Sequence, residues 1–135
     1  MCFIMKIEFH KARLRESIAV LEFAIEKGLA SHQRTVGFST SSGSVDLLSL
    51  YFFQEKLVSP GTQINHAWFK SKKRAVEMMP FDFPNKERIL ELMTFIESKR
   101  DAFCYGVDQK IEDLRATMEA FHELRTLFRS MGVQE

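Results

Sequence analysis

Ile7, Leu14, Ile18, Leu21, Ile25 and Leu29 recur at spacings of 7, 4, 3, 4 and 4. At about 100° per residue these positions gather on one helical face. The pattern predicts a first helix from Ile7 to about His32. A second strip of Phe9, Val20 and Phe23 gives it apolar contacts on two sides, as a bundle member has. Thr35 to Ser44, TVGFSTSSGS, is rich in Gly, Ser and Thr and reads as a loop. Ser44 is then the N-cap of a second helix, Val45 to about Leu57. That helix is apolar nearly all round, which marks a central element, and Ser59-Pro60-Gly61 ends it. A shorter helix is expected from Asn65 to Met78, before the Pro80–Pro84 segment, which cannot stay helical. Asn85 caps a further strong helix, in which Ile89, Leu92, Met93, Ile96, Arg100 and Phe103 form a stripe that stops at Gly106. Asp108 caps the last one, which runs to about Ser130 with Ile111, Leu114, Met118, Phe121 and Phe128 facing inward. No strand pattern and no internal repeat appears. The expected fold is all-α, an up-and-down bundle of four main helices plus a short extra helix.

Composition narrows what such a bundle can do. One domain over residues 1–135 is the expectation at this length. Nineteen Lys and Arg against 18 Asp and Glu leave a net charge of +1, so nucleic acid can be held only by a local patch. Cys2 and Cys104 make neither a disulfide framework nor a CxxC metal site, and they fit a reducing cytoplasm. No run approaches the roughly 18–20 apolar residues of a membrane span. The start, MCFIMKIEFHKARL, has no charged segment ahead of an apolar stretch, so no secretory leader is expected. These features predict a cytoplasmic protein with no membrane partner. Thirteen Phe and an arginine inside an apolar stripe exceed what one small core needs. A homodimer is therefore expected, with the Asn85–Gly106 helix in its interface.

That arginine is Arg100. A guanidinium keeps its charge and is costly to bury unpaired, so it must meet a carboxylate, a backbone cluster, a subunit interface or a ligand phosphate. Asp101, Cys104, Tyr105 and Gly106 follow it at the helix end. A second cationic feature is Lys70, Lys72, Lys73 and Arg74, directly after Trp68 and Phe69. Close cations beside aromatic rings can hold and stack on RNA, although an ordinary solvated helix face balanced by Glu77 explains the same charges. Of the four histidines, His10 reads as solvent-facing, His32 as a partner of a helix C-terminus, and His122 as half-buried. His66 is the one expected to serve as an auxiliary acid or base. No pair of histidines has ligand spacing, so no metal and no cofactor is expected.

The segment Glu97–Gly106, ESKRDAFCYG, resembles the signature of the HEPN superfamily: Arg, then Asn or Asp, three or more variable residues, His, and often Gly. Arg100, Asp101 and Gly106 match it, and Tyr105 stands where the histidine is expected. The flanking helices and the loop with His66 also resemble the family's. The resemblance implies a dimeric bundle that interacts with RNA or nucleotide. It implies Arg100 on a phosphate, with the substrate's own 2′-hydroxyl as nucleophile. A phenol is a poor proton shuttle near neutrality, so Arg100, Asp101 and Tyr105 are expected to form a degenerate ribonuclease site that binds better than it turns over. Two alternatives stay open. One is an active metal-independent ribonuclease of toxin type, using His66 or Tyr105. The other is a non-catalytic partner of a nucleotidyltransferase, as in toxin–antitoxin pairs.

Overall fold

The computed structural model describes residues 2–135. Helix α1 spans Phe3–Lys27, α2 Gln33–Gln54, α3 Lys72–Met78, α4 Lys86–Tyr105 and α5 Ile111–Ser130. Short 3₁₀ turns occupy Ala30–His32 and His66–Lys70. Four long helices and one short one make an all-helical bundle, with no strand among the described residues. Among those residues no helix is long and apolar enough to cross a membrane.

Helix α2 is the hub and packs against α1, α4 and α5. Its residues Leu47, Leu48, Leu50 and Phe52 are fully buried. The Phe52 ring meets Phe81 and Phe83, each with centroids 5.2 Å away, so the Pro80–Pro84 connection folds two aromatic side chains back onto the core. Burying rings of this size stabilises the bundle by about 1.5–3 kcal/mol each.

The segment Thr35–Ser44 is not a loop; it is the first half of α2. Its small residues are required because other helices approach closely. A Cβ at Gly37 would lie 2.6 Å from the Phe103 Cβ, and one at Gly43 would lie 2.8 Å from the Phe121 ring. Two of its buried hydroxyls are satisfied inside the helix: Thr40 donates to the Val36 carbonyl and Ser44 to the Thr40 carbonyl, both at 2.6 Å. Ser44 is therefore mid-helix and caps nothing.

Other boundaries shift for local reasons. Helix α1 stops at Lys27 because Gly28 takes φ 114, a left-handed conformation that side-chain-bearing residues avoid. The expected Asn65–Met78 helix is split, since Ser71 is extended and caps α3 by accepting from the Arg74 amide at 3.1 Å. Asn85 precedes α4 at φ 60 without a side-chain cap. Helix α5 begins after Lys110 rather than at Asp108, with Glu112 and Asp113 in its first turn, where negative charge suits the helix dipole.

Candidate functional site

Helix α2 carries one acidic side chain, Asp46, into the region where α1 packs on it. His10 of α1 meets it there, with Nδ1 2.7 Å from Oδ1. The imidazole is half-buried rather than solvent-facing. It stacks on Phe53 at 5.7 Å and 24°, and Phe9 stands edge-on to it at 5.1 Å. Asp46 is 3% exposed, and its Oδ2 has no hydrogen-bond partner among the described residues.

A second histidine–carboxylate pair brings its imidazole, that of His66, to the same cavity. His66 Nδ1 is 2.8 Å from Oε1 of Glu97, a buried side chain of α4. Ser41 of α2 donates its hydroxyl to the other oxygen of Glu97 at 3.0 Å, and the Ser41 oxygen accepts from Arg100 Nη1 at 3.0 Å. His66, Glu97, Ser41 and Arg100 thus form one hydrogen-bonded row. A carboxylate only accepts, so each imidazole carries its proton on Nδ1 and keeps Nε2 for other work.

The open cavity lined by His10, Asp46, His66 and Arg100 has a volume of about 350 Å³ and lies between α1, α2, the Thr62–His66 segment and α4. Lys6, His10, Arg13, Asp46, His66 and Arg100 all line it. None of its three cations is ion-paired among the described residues. Aromatic faces hold them instead: Arg100 lies 5.1 Å from the Phe38 ring, Arg13 5.3 Å from Phe9, and Lys6 5.8 Å from Phe53. Positive charge held in this way still has its hydrogen-bond donors to offer, and an anion is the matching guest. The volume is that of a small-molecule site, which spans about 300–1,000 Å³.

The anticipated site residues fall into two groups. Arg100 and His66 come together through Ser41 and Glu97. Asp101 is exposed and makes no hydrogen bond or ion pair among the described residues. Tyr105 is 79% exposed and does not line the cavity. It lies five positions after Arg100, which places the two roughly 140° apart around α4. Lys70, Lys72, Lys73 and Arg74 are exposed and lie outside the cavity, with Lys72 3.4 Å from Glu87. Trp68 is spent on the core, against which it packs half-buried. Burial pushes the Cys104 thiol up, against the opposing pull of Arg100 and Arg34. His32 closes the end of α1, 2.8 Å from the Gly28 carbonyl, and His122 is exposed rather than half-buried.

His10, Asp46, Glu97 and Ser41 are functional candidates that the pattern of the chain did not single out. No group of three His, Cys, Asp or Glu that could hold a metal comes together among the described residues. No protein-family model matches the chain, and neither any curated protein nor any solved structure is significantly similar to it.

Proposed function

We propose that this chain is a HEPN-like, cytoplasmic protein that binds RNA or nucleotide phosphate in the cavity between α1 and α4 and cleaves RNA without a metal. Arg100 holds the phosphate and His66 moves the proton. What carries this reading is the row from His66 through Glu97 and Ser41 to Arg100. It fixes a planar cation and an oriented imidazole on one wall of one pocket. A guanidinium fork suits phosphate oxygens and the charge that builds on them in the transition state. An imidazole is the side chain best suited to exchange protons near neutrality. The degenerate-site expectation depended on Tyr105 occupying the proton-transfer place. Tyr105 does not line the cavity, which favours the alternative in which His66 supplies the imidazole.

Arg100→Ala tests the phosphate role. Charge-assisted hydrogen bonds are worth about 1.5–3 kcal/mol, so affinity for a labelled 2′-O-methyl oligoribonucleotide should fall about 10- to 100-fold by fluorescence anisotropy. The melting temperature should change little, because the guanidinium has one protein hydrogen bond and no ion pair among the described residues. A sharp drop in melting with unchanged affinity would make Arg100 a structural residue.

The proposed dimer is supported by α1 rather than by α4, whose apolar stripe is used up in its own core. Met5, Phe9 and Phe23 are 60%, 53% and 51% exposed. They lie with Ala12, Glu16 and Ala19 on a line with spacings of 4, 3, 4, 3 and 4, the seam of a helix pair. Light scattering at micromolar concentration should give twice the chain mass of 15.7 kDa. A monomer there removes the dimer from the proposal.

A further inference from the structure

The His10–Asp46 pair is left unused by a mechanism built on Arg100 and His66, yet it is assembled at greater cost than the His66 pair. Asp46 lies on an otherwise apolar stretch of the central helix, nine-tenths and more buried, with Oδ2 unsatisfied among the described residues. Buried acceptors are almost always paired, and one left alone costs free energy. The carboxylate's one partner is the His10 imidazole, which Phe53 and Phe9 also lock in place. Two imidazoles from distant parts of the chain, each with Nδ1 on a buried carboxylate, thus line one cavity that also holds three cations without acidic partners.

We infer that His10, oriented by Asp46, is a second catalytic residue of this pocket, so that His10 and His66 act as an acid–base pair on an RNA phosphodiester. This rests on the proposed ribonuclease reading and extends it to a specific division of labour. In the step, the substrate's 2′-oxygen bonds to phosphorus while the bond from phosphorus to the 5′-oxygen breaks. The 2′-hydroxyl proton passes to the free Nε2 of one, neutral imidazole, while the other enters the step as imidazolium, protonated on both nitrogens, and gives its Nε2 proton to the departing 5′-oxygen. The products are a 2′,3′-cyclic phosphate and a 5′-hydroxyl, with no change of oxidation state and no co-reactant. A single imidazole could do only one of these transfers at a time. Asp46 is a positioning residue, which keeps His10 in the tautomer that leaves Nε2 available.

The test compares wild type with His10→Gln, His66→Gln and Asp46→Asn on two substrates. One is a fluorogenic oligoribonucleotide. The other is a ribonucleoside 3′-phosphodiester of para-nitrophenol, whose leaving group departs without a proton. On the oligoribonucleotide, His10→Gln should lower kcat by about 10²–10⁴-fold with KM little changed. Asp46→Asn should lower kcat by about 10–100-fold, again at nearly constant KM. On the nitrophenyl ester, one of the two histidine variants should recover most of the wild-type rate, identifying the acid, and the other should stay impaired. A folded His10→Gln protein with wild-type kcat overturns the inference, as do equal losses of both histidine variants on both substrates. If His10→Gln fails to fold, unchanged kcat in Asp46→Asn overturns it as well. Wild-type cleavage that needs His66 and Arg100 but not His10 defeats this inference alone. A wild type that neither cleaves nor binds RNA defeats the ribonuclease reading and this inference together.

Discussion

Replacing His66 by glutamine is expected to lower RNA cleavage by about 10²–10⁴-fold, the usual contribution of one positioned acid or base. The melting temperature should move by less than about 5 °C. The two effects separate because of where His66 sits. Its side chain is 39% exposed, so little packing is lost, and glutamine can still donate to Glu97 from the start of the 3₁₀ turn. What glutamine cannot do is accept and return a proton. Glu97 keeps its second partner, Ser41, so the buried carboxylate is not abandoned. Tyr105→His in the same assay should change nothing, since an imidazole at that exposed helix end remains far round α4 from Arg100. A rise in cleavage with Tyr105→His would restore the helix-end motif as the site and remove His66 from it.

Gly37→Leu is expected to destabilise the fold by about 3 kcal/mol, the upper end of ordinary overpacking, and to lower the melting temperature by about 10 °C. The clash begins at the first added atom. A Cβ there would meet the Phe103 Cβ at 2.6 Å and the Cys104 sulfur at 3.2 Å, and neither α2 nor α4 can yield without moving its neighbours. The Arg100 carbonyl, 3.4 Å from the same point, belongs to the turn that carries the guanidinium. Pushing α4 outward would therefore also pull Arg100 from Ser41, and RNA affinity should fall along with stability. Gly61→Ala is the control, because nothing lies within 4 Å of its added Cβ; thermal melts should place that variant within about 0.5 kcal/mol of wild type. Equal melting of the two variants would contradict the close α2–α4 packing.

The parts of this fold that could be read from the chain are those in which large apolar residues set the period. The all-helical class, the centrality of the Val45–Phe53 segment and the positions of α4 and α5 follow from that signal. The first half of α2 carries little of it beyond Val36, because its face is built from Gly37, Ser41 and Gly43, whose smallness is itself the packing solution. A composition that ordinarily means a loop here means close helix contact. In α1 the large residues mislead by a fraction of a turn. The buried line is Leu14, Ser17, Leu21 and Ala24, continued by the half-buried His10, whereas Ile25 is 58% exposed.

The site was legible to the extent that a charge stood among apolar neighbours. Arg100 met that test, and its link to the cavity follows from the stripe it shares with Ile96. Asp46 met it equally, as the one acid between Val45 and Gln54, and so did Glu97 beside Ile96. His10 became readable only once Leu14 and Leu21 had fixed which face of α1 is buried. Its pairing with Asp46 spans 36 positions, and that of His66 with Glu97 spans 31. Only the packing of α1, α2, α4 and the connecting segment reveals pairings at such separation. The short Arg100–Tyr105 spacing drew attention to the helix end, although the helical period carries the two side chains in different directions.

The most direct test of the central claim is to incubate the wild-type protein with a fluorogenic oligoribonucleotide in excess EDTA, beside Arg100→Ala and a deoxyribose copy of the same sequence. Cleavage of the RNA alone, leaving 2′,3′-cyclic phosphate ends and lost in Arg100→Ala, is the expected result. Intact RNA at micromolar protein, with no change in the anisotropy of a labelled strand, would contradict a phosphodiester site in this cavity.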